Sequence, residues 1–312
     1  MAILPAMASP LADLVTAELA QPVDPRVTRL ATTIAQRYGK ASMGVLFYGS
    51  CLRQAEFDGL MLDFYLIVDD YRAAYGGSWL AQANRLIPPN VFPIEADGLA
   101  AKYAVLSLAD FSRLCRPDAE NVSVWARFAQ PARLVWTAGD EDRKIAASVT
   151  EAVITLFQLT MPMLETDTDF AATDVWKRGF ELTYAAELRA ERTGRGGSIV
   201  DFDPQRYEIF GNAALAEIAR RQGVGPNGEV ANYASPQALR RRWRAMHRRG
   251  KVLTLLRLAK ASLTFAGGID YLAWKINRHA GTKIMIRPWQ RRWPILGALT
   301  LLPRLWTGGA VR

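Results

Sequence analysis

The segment Met61–Val68 constrains this chain more than any other. It reads Met-Leu-Asp-Phe-Tyr-Leu-Ile-Val, eight residues with a single charge, Asp63, among apolar neighbours. A nearly continuous apolar run of that length reads as a strand buried on both faces. Such a strand needs a sheet with further layers packed on either side of it. The surrounding pattern supplies both. Strand-like stretches fall at 43–48, 91–96, 101–106 and 133–137, and Asp97-Gly98 between the second and third of these is a strong hairpin signal. Apolar residues recur at helical spacing through Leu11, Leu14, Val15 and Leu19, then Val27, Leu30 and Ile34, with a break at Pro22–Pro25. Trp79–Leu86 reads as a helix stopped by Pro88-Pro89, and 110–115 as a short helix. From Asp142 onward the pattern is helical almost throughout, interrupted at 194–204, where Arg-Gly-Gly-Ser reads as a loop.

The expected fold class is therefore α/β (α+β). A mixed-sheet domain occupies 1–140, a helical domain 141–250, and a basic amphipathic segment 251–312. With 312 residues, 50% of them apolar and 22% charged, the chain can bury a sizeable core. Two cysteines and two histidines exclude a disulfide framework and make a structural zinc site an unpromising reading. No continuous apolar run approaches the ~20 residues that cross a bilayer. The first basic residue is Arg26, and Asp13, Glu18 and Asp24 precede it, so neither a secretory signal nor an Arg-rich transit peptide is expected.

Charge is distributed unevenly. Residues 240–312 hold 17 Lys plus Arg against one acid, Asp270, while the rest of the chain is net acidic. A cationic quarter on an acidic body points to an anionic partner: nucleic acid, anionic lipid or a phosphate-bearing substrate. A solvated basic helix face is the plainer alternative. Trp274, Trp289, Trp293 and Trp306 interleave with Lys275, Arg278, Lys283, Arg287, Arg291 and Arg292, and 294–302 carries no charge. Aromatics with cations and short apolar runs suit a bilayer interface. An RNA contact is the competing reading, and the uncharged stretch favours lipid.

The chemistry concentrates around Phe47-Tyr-Gly-Ser50, with Asp63 thirteen residues later. Gly-Ser at a strand end exposes backbone N–H groups and a hydroxyl to a phosphate. A carboxylate on the next strand, facing the same cleft, can hold magnesium bridging nucleotide phosphates. Nucleotidyl transfer needs this set: the metal and loop bind the triphosphate, and an acceptor oxyanion attacks the α phosphorus. Nucleotidyltransferases usually carry Asp-x-Asp on one strand face. Tyr65 stands at the second position here, on the same face as Asp63.

Taken in order, these segments resemble the mitochondrial-type phosphatidate cytidylyltransferase family, also called the translocator assembly and maintenance family, of the nucleotidyltransferase superfamily. The resemblance lies first in Tyr48-Gly49-Ser50, Gln54, Leu62-Asp63-Phe64 and Val68-Asp69-Asp70. It continues through Asp97-Gly98, Lys102-Tyr103 and Val105-Leu106-Ser107, with Ala104 where that family usually has Gly, and through Arg127, Gln130-Pro131 and Arg133. It ends with Leu256-Arg257, Ala259-Lys260 and Thr264-Phe-Ala-Gly267, so that it covers about 43–137 and 252–268. That family also lacks the second aspartate.

The resemblance implies magnesium-dependent transfer of CMP from CTP to phosphatidic acid, giving CDP-diacylglycerol and pyrophosphate in phospholipid synthesis. The implied enzyme is a peripheral membrane protein. The expected location is cytoplasmic, at the inner face of a bacterial plasma membrane, with an anionic membrane surface as partner and no nucleic acid. Gly49 and Ser50 would bind the triphosphate, with Gln54 and Arg127 as further nucleotide ligands. Asp63 would ligate magnesium, with Asp69, Asp70 or Glu95 as candidate second carboxylates. Asp69 and Asp70 could equally be turn or capping residues, and Glu95 falls outside the family pattern. Lys102 would meet a phosphate, since an ammonium in an apolar strand needs an anion unless it snorkels to water. Arg133, Arg257, Lys260 and Lys275 would face the lipid phosphate or membrane. Arg257 and Lys260, three apart, share a helical face.

Overall fold

The computed structural model describes residues 9–53, 57, 59–164, 170–187, 195–222, 235–264 and 285–292. Its centre is a five-stranded mixed sheet in the order β3-β4-β2-β1-β5. The strands are β1 (Ser42–Tyr48), β2 (Met61–Val68), β3 (Asn90–Ala96), β4 (Leu99–Ser107) and β5 (Ala132–Thr137). β2 is the middle strand. It runs antiparallel to β1 and parallel to β4. β3 and β4 form a hairpin, and both turn residues, Asp97 (φ 51°) and Gly98 (φ 74°), take positive φ. That pair of dihedrals matches the right-handed twist of the flanking strands.

The central position of β2 explains its composition. Leu62, Phe64, Leu66 and Val68 enter one apolar cluster, under α2 (Pro25–Gln36), α3 (Tyr71–Tyr75) and α4 (Trp79–Leu86). Tyr65 and Ile67 enter a second cluster on the opposite face. That second cluster continues without a break into the helical half. It joins α1 (Pro10–Leu19), α5 (Leu108–Cys115), α6 (Trp125–Phe128), α7 (Asp142–Thr160), α8 (Ala172–Ala186), α10 (Pro204–Gln222) and α11 (Pro236–Thr264). The sheet and the helices thus share one core on this side.

α7 is its axis. The stretch Asp142–Met163 is long and apolar enough, by length and composition, to cross a membrane. Scattered Ser and Thr conceal this in the sequence. In the fold 72% of that window is buried inside the protein, and Ile145, Val149, Val153, Leu156 and Phe157 pack in the core. The loop expected at 194–204 is instead helical over most of its length, as α9 (Arg195–Phe202). Burial of Ile199 and Val200 against α8 overrides the weak helix propensity of the glycines.

Two contacts set the helical half. The first is Arg206 of α10, whose guanidinium donates to both carboxylate oxygens of Glu18 on α1 at 2.7 and 3.0 Å. It also lies over the rings of Trp176, Tyr207 and Phe210, 4.1 Å from the last. The second is Gly250 of α11: a Cβ there would strike the carbonyl of Ala186 at the end of α8. The missing side chain lets α11 lie flush on α8, which places the following turns of α11 over the β3 edge of the sheet.

Candidate functional site

The register of β2 builds the site. Asp63 lies opposite Tyr48 of β1 on one side and Lys102 of β4 on the other. Directly paired residues share a sheet face, so the end of β1, the Asp63 carboxylate and the Lys102 ammonium converge on the face that carries the helical half. Lys102 Nζ stands 3.1 Å from Asp63 Oδ1, and each side chain keeps about a quarter of its surface exposed (27% and 24%). A pair so placed is screened enough to open yet dry enough to feel an incoming charge.

The chain leaves β1 through Gly49, whose φ of +94° disfavours any residue with a side chain. A Cβ added there would come within 3.4 Å of Asp63 Oδ2, so this backbone runs along the carboxylate. Ser50 follows, exposed, at the start of a 3-10 turn, Ser50–Arg53. The expected trio of Gly49, Ser50 and Asp63 is therefore gathered in one place, with Lys102 added across the parallel rung. Gln54 and Lys275 lie outside the described residues.

The floor of this face is aromatic. Tyr48, Tyr65 and Phe128 pack with tilted or edge-on rings, 5.1–5.7 Å apart centroid to centroid. Tyr65, which stands where a second carboxylate is usual, is 3% exposed. Burial raises its phenol pKa, against the opposing charges of Arg127 and Arg257. These influences show that Arg127 and Arg257 both reach the face that Asp63 and Tyr65 share.

Arg127 is held on α6 by a two-pronged pair with Glu187, Nη1–Oε1 2.9 Å and Nη2–Oε2 3.2 Å, and by a hydrogen bond to the Ser123 carbonyl. Burial is the largest influence and works against its charge, but Glu187, Tyr65 and Tyr48 together outweigh it and raise the guanidinium pKa above its ordinary value. Glu187 is the site-side residue that sequence reasoning missed. It sits 60 positions from Arg127, at the end of α8, and no local pattern marks it. Arg257, on α11, donates from Nε to the Pro88 carbonyl at 2.7 Å, and Lys260 donates to the Ile87 carbonyl.

Three expected acids stand apart from Asp63. Asp70 caps α3, its Oδ1 accepting from the Arg72 and Ala73 amides. Asp69 is exposed in the bend beyond β2, where its amide donates to the Ala41 carbonyl at 2.9 Å. Six or seven residues along a strand put both about 20 Å from Asp63, so neither can share a metal with it. Glu95 is exposed on β3 opposite Ala100, and all of β4 intervenes between it and β2. Arg133 pairs with Phe47, not with Tyr48; its guanidinium donates to Gln21 and to its own Ala132 carbonyl, and the charges that act on it are those of Glu18 and Arg206.

Among the described residues no three His, Cys, Asp or Glu side chains cluster to hold a metal. Magnesium can nevertheless be bound through one carboxylate when substrate phosphates supply the other oxygens. The donor set of Asp63 and Ser50 fits that ion on this condition.

No family model matches the chain, and no curated protein does. A solved structure described as a nucleotidyltransferase-like protein from Exiguobacterium sibiricum 255-15 is similar to it, with 10% sequence identity and a TM-score of 0.28, covering 91% of this chain and 92% of that one. A score of that size adds nothing to the site geometry. The fold is mixed α/β, with the sheet described above at its centre.

Proposed function

We propose that this chain is a nucleotidyltransferase, and specifically a CTP:phosphatidate cytidylyltransferase. The observation that carries the first part is the convergence of a positive-φ glycine turn, a hydroxyl, one strand carboxylate and one strand ammonium at one end of the central strands. The finer part, the base and the acceptor, rests on the family resemblance of the same segments.

In this reading the triphosphate lies along Gly49-Ser50, whose backbone approaches closely because there is no Cβ. Lys102 turns from Asp63 to the phosphates and offsets their charge as pyrophosphate departs. Asp63, released, supplies the carboxylate for magnesium with Ser50 beside it. When bound, the metal neutralises the triphosphate and polarises the α phosphoryl group. A phosphate oxygen of phosphatidic acid forms the new bond to the α phosphorus, and the bond from that phosphorus to the β-phosphate bridging oxygen breaks. The products are CDP-diacylglycerol and pyrophosphate. Arg127, fixed by Glu187, lines the cleft toward the nucleotide. The aromatic floor of Tyr48, Tyr65 and Phe128 keeps water from beneath the reacting groups. The basic segment 251–312, mostly outside the described residues, would hold the protein on an anionic membrane at the cytoplasmic face; Trp289 (43% exposed) and Met285 (87% exposed) fit such a contact.

The test is pyrophosphate release by purified protein with magnesium, CTP and phosphatidic-acid vesicles. ATP, GTP, UTP and a lipid-free mixture serve as controls. Release only with CTP and the lipid is the expected result. Release with another triphosphate or another acceptor retains the nucleotidyltransferase reading and overturns the specific one. No release under any condition, with vesicle binding intact, leaves a membrane-bound scaffold.

A further inference from the structure

Tyr65 lies two residues beyond Asp63 on β2, so both side chains rise from one face of the sheet, about 7 Å apart along the strand. Its ring packs against Tyr48 at 5.3 Å and Phe128 at 5.1 Å, centroid to centroid, and the residue is 3% exposed. Those contacts account for an aromatic ring, and phenylalanine would supply them equally. They do not account for the hydroxyl. Among the described residues nothing donates to it or accepts from it, whereas the buried hydroxyl of Tyr71 donates to Asp110 at 2.6 Å. A desolvated hydroxyl without a partner is costly. The fold therefore retains a donor that its own packing does not use.

The surroundings say where that donor is directed. Burial, foremost, raises its pKa and keeps the phenol protonated; of the charges that act on it Arg127 is the strongest, then Arg257, Glu187 and Asp63. These groups come from α6, α11, the end of α8 and β2, the elements that enclose the cleft over this face. A protonated phenol is a poor ligand for a hard divalent cation, which favours carboxylate and carbonyl oxygens. It is a good hydrogen-bond donor. Tyrosine, at a position where nucleotidyltransferases usually carry a carboxylate, thus exchanges a metal ligand for a donor that suits negative charge.

We propose that the Tyr65 hydroxyl is a catalytic hydrogen-bond donor to a non-bridging oxygen of the nucleotide's α phosphoryl group. This role rests on the nucleotidyltransferase reading and not on the identity of the base or the acceptor. As the acceptor oxygen bonds to the α phosphorus, the bond to the bridging oxygen of the departing pyrophosphate breaks. A donor already in place stabilises the charge spread over the equatorial oxygens without rearranging. The phenol keeps its proton throughout, and no bond to Tyr65 forms.

The experiment compares the full chain with Tyr65→Phe, which keeps the ring and removes only the hydroxyl. Pyrophosphate release is followed with the triphosphate and acceptor that the wild type turns over. It is repeated with the two α-thio diastereomers of that triphosphate, in which sulfur, a weak acceptor, replaces one non-bridging oxygen. In the variant, kcat should fall about 10- to 100-fold, the size of one hydrogen bond to a charged group. KM for the triphosphate should stay within about twofold, because the contact acts in the transition state. The denaturation midpoint should not fall, since no hydrogen bond of the free protein is lost. One thio diastereomer should be slowed about 10-fold or more in the wild type, and that penalty should largely vanish in the variant. Unchanged turnover in Tyr65→Phe overturns the proposal. So does a lowered midpoint that accounts for the lost turnover, and so does a thio penalty equal in both proteins. A wild type that treats both diastereomers like the parent triphosphate overturns it even if the variant does not fold. The two readings fail distinguishably: no turnover of any triphosphate sinks both, and turnover that ignores the hydroxyl sinks only its role.

Discussion

Two of the ion pairs that join residues far apart in the chain differ sharply in their surroundings. Arg206 and Glu18 pair with side chains 9% and 10% exposed, under a lid of aromatic rings. Lys102 and Asp63 pair with side chains 27% and 24% exposed, at the mouth of a turn. The first is enclosed and bidentate, so removing one partner strands a buried charge. The second is open on one side, so its partners can be exchanged for a ligand. The difference separates a pair enclosed by the packing of the helical half from a pair that, on the proposed reading, serves the chemistry.

The comparison breaks most visibly if stability is struck. Glu18→Ala strands the Arg206 guanidinium and should cost about 3–5 kcal/mol. That is read as a lowered denaturation midpoint, with the folded fraction retaining its turnover. A midpoint within error of wild type would make the enclosed pair no more structural than the open one. The reverse signature belongs to Asp63→Asn. Pyrophosphate release should fall about 100- to 1,000-fold, while the midpoint moves by no more than about 1 kcal/mol, as for a pair that is partly exposed. A large loss of stability instead would assign Asp63 to the architecture.

Gly49→Ala sharpens the contrast at the turn. Forcing a Cβ into φ +94° should cost about 1–3 kcal/mol, and that strain falls beside Asp63. The expected result is a turnover loss exceeding what the lowered stability explains, tested by assaying well below the unfolding temperature.

The smallest effect concerns pH. Glu217, buried on α10, has its pKa lowered to about 2 by the hydrogen bond from Arg220, with burial opposing and Arg221 adding to the effect. A carboxyl depressed in the folded state stabilises fully above its unfolded value near 4.5 and progressively less as the pH falls toward 2. Stability should therefore decline across that window, and Glu217→Gln should flatten the decline. An unchanged acid limb in the variant would locate the acid sensitivity elsewhere.

Much of the sheet was legible because its signals are local. Met61–Val68 announces burial on both faces through composition, and Asp97-Gly98 announces its turn through the dihedrals those residues tolerate. The Gly49–Ser50–Asp63 grouping was legible for the same reason, since adjacent antiparallel strands fold back over a short connection. Asp69 and Asp70 stayed open between ligand and cap because acids beside a strand look alike in either role; position along β2 and the cap of α3 separate them. The pairing of Arg133 with Phe47 was not legible. A one-residue shift in pairing sends a side chain through the sheet, and pairing is a tertiary fact. α9 misled because glycine-rich composition was outweighed by two buried residues.

By itself the sequence determined a layered α/β fold with a strand at its centre, a Gly-Ser turn beside a lone strand carboxylate, and a basic end. These follow from periodicity, composition and turn chemistry, which act over a few residues. Only the tertiary structure decided that Lys102 meets Asp63, that Glu187 grips Arg127, and that α11 carries Arg257 and Lys260 over the sheet edge. Those partners come from register and helix packing across 39 residues in the first case and 60 in the second. The free energy of such contacts depends on which groups share a desolvated space, and no local pattern encodes that.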